Sequence, residues 1–389
     1  MKKEKLWILS ELFYPETTST AYILTEIAKK LAIKYEVHVI CGNPVYDIGS
    51  QTADIPEIII HRLTGRKIDK NNKVKRIFRA LTLSSKLKKE LVMHKDEVNK
   101  VFMVTNPIFL LPKISNWTKK NGKELTLLVH DVFPENAKAS GLIKIRFLFK
   151  FLKKYFDRAY KKCDKIIVIG NDMKDVIVSK GVEENKVSII QNWANIENIK
   201  PSNNTSKTSS KIRIQFAGNM GRVQGLCEFF DILSQVHNSD IEFIFTGSGA
   251  VKNELQEKSK NIHGVEIAFN LSYSRDEENR VLNDCDIALI SLNENMYGLG
   301  VPSKTYNNMA AGKALLFVGP KNSEIFSMIN ESQIGYCFDA QSKEEIISFF
   351  NNLNKTNVDI IKDMGKNSRV LAEREYSKDV ILNKYISIV

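Results

Sequence analysis

Short runs rich in apolar and β-branched residues recur along the chain, separated by longer helical patterns. In the first half the runs are Leu6–Ser10, Glu36–Cys41, Glu57–Arg62, Lys100–Thr105, Glu124–His130, Lys165–Ile169 and Lys186–Ile190. Helical patterns cover Ser19–Ile33, Val74–Met93, Pro107–Lys120, Leu142–Lys162 and Asp172–Lys180. The second half repeats the theme at Lys211–Ala217, Ile241–Thr246, Gly264–Phe269, Asp286–Ser291, Ala314–Val318 and Gly335–Phe338. Alternation of this kind implies parallel sheets whose strands are joined by crossover helices. A chain of 389 residues is also too long for one ordinary core. The prediction is an α/β protein of two doubly wound, Rossmann-like domains.

The stretch from Lys200 to Ser210 is polar and lacks apolar periodicity, the composition of a linker. Domains are therefore expected at 1–200 and 211–375, with 201–210 between them and a closing helical segment at 376–389. The five cysteines are scattered, without metal-ligand spacing, which fits buried free thiols in a reducing compartment. Ser10 and Glu11 interrupt the apolar run that follows Lys5, and no run reaches the length of about 20 apolar residues needed to cross a membrane. A cytoplasmic location is expected.

The net charge of +12 is unevenly distributed. From Arg62 to Lys89 the only acid is Asp69, and a second basic cluster runs from Lys138 to Lys165. Between Gly141 and Phe156 basic residues alternate with large apolar ones, which suits an anionic membrane surface. A helix packed on its own sheet with a lysine-rich solvent face gives the same pattern. Nucleic acid is the other common polyanion, but no zinc finger, RNP motif or glycine-rich basic tail is present, and no nucleic-acid partner is expected.

The segment from Gly300 to Val318 carries the most chemistry. Pro302 suits the first turn of a helix, and Ser303, Lys304 and Thr305 would place free amides, a hydroxyl and an ammonium at its positive end. Such an end suits a phosphate or diphosphate. Gly312 ends the helix and Ala314–Val318 follows as a strand. A well-capped surface helix is the alternative reading of the same residues.

The string Val301-Pro302-Ser303-Lys304, continued by Tyr306-Asn307 and Met309-Ala310 to Gly312-Lys313, resembles the nucleotide-sugar site of the family 4 retaining glycosyltransferases. The resemblance is to the branch that assembles bacterial capsule and O-antigen. Four further strings follow in that family's order: Phe13 to Ala21, Val129 to Glu135, Phe216 to Gly225, and Phe245 to Gly249. The resemblance implies the GT-B architecture, in which two domains face each other across a cleft. The second domain grips a nucleotide-sugar donor and the first holds the acceptor. It also implies that the C-terminal helix packs back on the first domain.

By the same resemblance, Lys304 neutralises the departing diphosphate, with Pro302, Ser303 and Thr305 around it. Asn307 takes the place of the second glutamate of the family's Glu-x7-Glu motif, which holds the ribose hydroxyls. The place of the first glutamate is Leu299. Asn219 and Gln224 stand where an arginine and a lysine are usual, and Arg222 offers a replacement positive charge. Gly218 allows close approach of the donor, Gly247 and Ser248 form a second turn beside it, and Tyr273 falls in the loop that lines the base pocket, with a core position as its alternative. Thr18 and Ser19 present hydroxyls at a helix start in place of the family's paired glycines.

His130 and Asp131 end a strongly apolar run and are the catalytic candidates with Lys304; a wall histidine and a capping aspartate are the alternatives. Glu16 and Glu135 are candidate acceptor-binding carboxylates. Asp284-Cys285-Asp286 looks like a metal-binding pair but reads better as a helix end, and neither metal nor cofactor is expected. The function implied is retaining transfer of a sugar, N-acetylated or 6-deoxy, from a UDP-linked donor to a lipid-linked oligosaccharide at the inner face of the plasma membrane. A nucleotide-sugar epimerase of similar architecture and a basic RNA-binding protein are the rival readings.

Overall fold

Two parallel sheets organise the chain, and each is wound in the same sense. The first contains β1 (Lys5–Ser10), β2 (Glu36–Gly42), β3 (Ile58–Leu63), β4 (Lys100–Val104), β5 (Glu124–Val129), β6 (Lys165–Val168) and β7 (Val187–Ile189), in the order β3-β2-β1-β4-β5-β6-β7. The second contains β8 (Ile212–Ala217), β9 (Ile241–Thr246), β10 (Glu266–Asn270), β11 (Ile287–Ser291), β12 (Ala314–Gly319) and β13 (Gly335–Asp339), in the order β10-β9-β8-β11-β12-β13. The structure, a computed structural model, describes residues 3–16, 18–44, 55–63, 73–202 and 211–389.

All the strands expected from the sequence are present, with ends displaced by a residue or two. The reason they were legible is burial on both faces, which turns each central strand into an unbroken apolar run. Leu6, Trp7, Ile8 and Leu9 of β1 are all fully buried, as are Leu125, Leu127, Leu128 and Val129 of β5. In the second sheet Phe216, Phe243 and Phe245 build an aromatic interior with Phe229, Phe230 and Phe350. Each such ring contributes about 2 kcal/mol through burial. In both sheets the winding reverses beside the first strand, between β1 and β4 and between β8 and β11, so the connecting loops part there at the carboxyl ends.

One expected helix starts late. The helix expected over Leu142–Lys162 forms at Arg146–Tyr160, and a short helix not expected from sequence, Glu135–Ala139, precedes it. Gly141 adopts φ +70°, and Leu142 N–H returns to the Ala137 carbonyl at 2.9 Å, which closes the short helix. The chain then runs extended to Ile145 before the next helix begins.

The chain divides into two compact units. One comprises residues up to Ile169 with Met173–Ile190 and Leu382–Val389, and the other Gly170–Asp172 with Gln191–Ile381. The second unit thus begins ahead of the polar stretch. Ala194 N–H donates to Tyr376 O at 2.7 Å, and the Arg369 guanidinium donates to the carbonyls of Ile196, Ile199 and Ala310. Lys200 and Ser202 bond to Asn279 and Asn283, whereas 203–210 of the expected linker lie outside the described residues. The last residues of the helix Lys378–Ile388 join the first unit, where Tyr385 meets the Phe102 ring edge-on and Tyr35 Oη donates to Val389 O at 3.0 Å.

Candidate functional site

In the second unit, Gly218 and Asn219 follow β8 and Gly247 and Ser248 follow β9, at the carboxyl ends of these strands. Gly218 follows β8 with φ +129° and Gly247 follows β9 with φ +140°, conformations that side chains rarely tolerate. The two turns touch: a Cβ on Gly247 would stand 2.0 Å from the Gly218 carbonyl. Gly218 N–H donates to Thr246 O and Met220 N–H to Ser248 O, so the turns are laced together by backbone. Ser248 is exposed above them.

Lys304 enters this group from the helix Lys304–Ala310. A Cβ on Gly218 would lie 3.4 Å from its Nζ, and the Nζ itself sits 3.3 Å from the centroid of the Phe216 ring. The ring face is a weak substitute for water or a carboxylate. The ammonium nitrogen is buried and has no hydrogen-bond partner among the described residues. Burial alone lowers the pKa of Lys304 to about 7. A lysine held in this way gains strongly from an arriving anion.

The helix start differs in detail from the expectation. The helix proper begins at Lys304, so Pro302 precedes it by two residues, and the Ser303 side chain makes no capping bond. Thr305 N–H donates to Pro302 O at 3.1 Å and the residue is fully buried. Its amide is therefore closed into the turn, which corrects the expected third free amide. The same tightening occupies Tyr306 N–H, which donates to Ser303 O at 3.3 Å.

Asn219 and Arg222 are exposed at this end of the sheet, and Arg222 makes no ion pair among the described residues. Gln224 turns inward, its Oε1 buried without a partner among the described residues and close to Gly221, where a Cβ would approach it to 2.7 Å. Asn307 is spanned between two groups. Its Oδ1 accepts from Asn195 N–H at 3.2 Å and its Nδ2 donates to Glu278 Oε1 at 2.9 Å. Tyr273 is partly buried beside the same carboxylate, and burial with the Glu278 charge pushes its hydroxyl up to about 12. Glu278 was not singled out from sequence. It lies next to the capping box formed by Ser274 and Glu277, and nothing in the local pattern separates it from Asp276 and Glu277.

In the first unit His130 and Asp131 follow β5. The His130 Nε2 is buried without a partner among the described residues, and burial lowers the imidazole pKa to about 4, so the ring is neutral at physiological pH. Asp131 reaches solvent; the protein around it raises its pKa, while Asn136 Nδ2, 2.7 Å from Oδ1, pulls it back. Glu135 is committed elsewhere. Its Oε1 accepts from Lys180, whose side chain is fully buried, and lies 3.5 Å from Lys153. Lys180 also bonds Asp157 Oδ1 at 3.0 Å, so Glu135 belongs to an internal ion network.

Thr18 serves as N-cap of the helix Ser19–Leu31, accepting from Ala21 N–H at 3.4 Å, and Ser19 is exposed beside it. Thr17 lies outside the described residues. Glu16 is buried, and with Arg62 it acts on the Cys41 thiol, whose pKa burial raises to about 11. Cys41, Cys163 and Cys285 are buried, but Cys227 and Cys337 are only half-buried, a departure from the expected interior placement.

Asp284 and Asp286 both face Arg213: Asp284 Oδ1 accepts from its Nη1 at 2.6 Å and Asp286 Oδ2 from its backbone N–H at 2.9 Å. This is the helix-to-strand junction expected from sequence. A cavity of about 1000 Å³ adjoins that junction and is lined by Arg213, Asp284, Lys313, Lys362 and Arg369 among others. It lies at the amino ends of β8, β11 and β12, away from the edge at which such sheets bind ligands.

Comparisons with known proteins agree with the resemblance. Residues 21–198 match the profile of Glycosyltransferase Family 4, and residues 211–353 that of Glycosyl transferases group 1. A Pseudomonas aeruginosa protein named as a glycosyltransferase, WbjE, is 30% identical over 293 residues, spanning 73% of this chain and 72% of its own. WcaI of Escherichia coli K12, named as a colanic acid biosynthesis glycosyl transferase, is 20% identical over 234 residues, 58% of this chain and 56% of its own. The fold is shared with Anabaena Alr3699/HepE, solved in complex with UDP and glucose. The TM-score is 0.70 and the identity 13%, with 99% of this chain and 98% of that one covered.

Proposed function

The chain belongs to the family 4 glycosyltransferases, and from that premise we propose that it moves a sugar from a UDP-linked donor to a lipid-linked oligosaccharide, with retention at the anomeric carbon, in bacterial envelope polysaccharide synthesis. The observation that carries the reading is the buried, unpartnered Lys304 ammonium between the Phe216 ring and Gly218. Breaking the bond from the anomeric carbon to the diphosphate leaves negative charge on the departing oxygen. A preorganised cation in a dry site stabilises that charge far more than it stabilises the intact donor.

The rest of the reading follows from this placement. Gly218 and Gly247 let the backbone approach the diphosphate, and Ser303 and Arg222 add a hydroxyl and a second positive charge. Asn307, held by Glu278, and Tyr273 beside it form the surface for the ribose and base. Leu299 is buried and apolar where the wider family carries a carboxylate, which suits an N-acetylated or 6-deoxy sugar. His130 is neutral and offers one ring nitrogen to a sugar hydroxyl or to phosphate. The acceptor hydroxyl oxygen forms the new bond on the face the diphosphate leaves, and its proton passes to the departing diphosphate, so no protein nucleophile is required.

Attachment to the inner face of the plasma membrane rests on the helix Arg146–Tyr160. Only Phe156, Ala159 and Tyr160 of it are buried. Phe147, Leu148, Phe151 and Tyr155 are exposed, with Phe147 at 81%, and Lys144, Arg146, Lys150 and Lys154 surround them. A helix that merely turned a lysine-rich face to solvent would bury those rings. Ile77, Phe78 and Leu81, on the helix Lys73–Met93, add a second exposed apolar set in the same unit. Among the described residues no helix is long and apolar enough to cross a membrane.

The decisive test is incubation with a panel of UDP- and GDP-sugars, with and without a polyprenyl-linked saccharide. Product on the lipid, dependent on one UDP-sugar, is expected. Epimerised donor without acceptor would replace the transferase reading by the epimerase one.

A further inference from the structure

Three of the four histidines of the first unit cluster around one tryptophan. Trp7 of β1 is fully buried, and its ring stacks on His38 of β2 at 4.4 Å between centroids. His61 of β3 and His94, just beyond the helix Lys73–Met93, also lie against it at 5.3 and 4.7 Å. Three of the six histidines of the chain thus converge on a single point, although 23 and 33 residues of sequence separate them.

Glu90 completes the group from the last turn of that helix, one turn before His94. One ring nitrogen from each of His61 and His94 and one carboxylate oxygen of Glu90 all lie within 4.8 Å of one another. His94 Nε2 and Glu90 Oε1 are 3.7 Å apart, too far for a hydrogen bond. Two ligands about 2.0–2.1 Å from a tetrahedral zinc ion stand roughly 3.3 Å apart, so a small rotamer adjustment brings these donors to coordinating distance. Glu90 and His94 keep partial access to solvent, which gives an ion a way in.

The surroundings of His61 have the character of an outer coordination shell. His38 Nδ1 lies 3.1 Å from His61 Nε2, and His38 Nε2 lies 3.0 Å from Glu36 Oε1. Lys5 stands 3.5 Å from the same Glu36 oxygen. A carboxylate–histidine relay of this kind fixes the orientation of a ligating imidazole.

We propose that His61, Glu90 and His94 bind a zinc ion, with His38 and Glu36 holding His61 in place. Two imidazoles and one carboxylate suit zinc among the common divalent ions, and they exclude the all-oxygen preference of magnesium and calcium. The ion would pin the edge strand β3 to the carboxyl end of the helix Lys73–Met93, a structural role independent of sugar transfer.

The test is equilibrium dialysis of the full chain, stripped with chelator, against zinc chloride, together with melting curves at each zinc concentration. One equivalent bound at micromolar free zinc is expected, with a rise in Tm. Glu90→Gln and His94→Gln should each weaken binding at least tenfold and abolish the rise, while the double variant His237→Gln/His263→Gln retains both. Zinc-free melting curves of the variants separate loss of the ion from loss of the fold. Absence of stoichiometric binding in the wild-type chain, or binding unchanged in both Glu90→Gln and His94→Gln, overturns the proposal.

Discussion

Lys304 Nζ stands 3.3 Å above the centroid of the Phe216 ring, with no carboxylate or carbonyl among the described residues to receive its protons. Few arrangements keep a cation so poorly satisfied, and this one makes both charge state and affinity depend on the ligand.

The first prediction concerns pH. Burial depresses the Lys304 pKa to about 7, and a bound diphosphate favours the ammonium and raises it again. Affinity for a UDP-hexose, whose own phosphates do not titrate near neutrality, should therefore be greatest below pH 7. It should weaken by up to about tenfold per unit as pH rises through 7 toward the pKa of the complex. The ligand-free protein behaves oppositely. Its folded state binds fewer protons than the unfolded chain between about pH 7 and 10.5, so stability in that window rises with pH relative to Lys304→Met. Calorimetric titration across pH 6–9 checks the first statement, with Lys304→Met expected to give a flat profile.

Lys304→Ala should cripple turnover without harming the fold. Loss of a preorganised electrostatic contact costs about 100- to 1,000-fold in rate, and no hydrogen bond in the protein is broken by the change. Steady-state kinetics beside a melting curve reads both. A variant with near-wild-type turnover would remove Lys304 from the donor site.

Gly247→Ala should destabilise the second unit. Its φ of +140° is strained for any side chain, and the new methyl would meet the Gly218 carbonyl at 2.0 Å. A penalty of about 3 kcal/mol is expected, with donor binding lost in parallel because the Gly218 turn must move. Urea denaturation measures it.

Lys180→Met should cost about 3–5 kcal/mol, because it leaves Glu135 and Asp157 without the buried cation between them. The loss should show as a lower midpoint in chemical denaturation at pH 7. If stability is unchanged, Glu135 is free to serve the acceptor after all.

Phe147→Ser with Phe151→Ser should reduce co-sedimentation with anionic vesicles while leaving the melting temperature near that of the wild type, since both rings are exposed. Each basic residue near such a surface adds on the order of 1 kcal/mol, so residual binding should persist at low salt and vanish at high salt. Equal binding to neutral and anionic vesicles would argue against this surface.

The two-sheet architecture was legible because its evidence is local. Strands such as Leu6–Ser10 and Ile287–Ser291 are buried on both faces and so read as apolar runs whatever their neighbours. The glycine turns and the existence of a helix beginning near Lys304 were legible for the same reason, since backbone conformation and helix-end chemistry are written within a few residues, although the helix starts two residues after Pro302. The late start of the helix expected from Leu142 was missed because the pattern of basic and apolar residues begins in the extended stretch ahead of Arg146.

The sequence by itself determined which residues form strands, which turns require glycine, and that Lys304 heads a helix. Tertiary structure alone decided what each side chain faces. It placed Phe216 under Lys304, drew Glu135 into the Lys180 network, bound Asn307 to Glu278, and brought His38, His61 and His94 to one tryptophan. Periodicity fixes which face of an element is buried, but the partner on that face comes from another element, and its distance along the chain leaves no local trace.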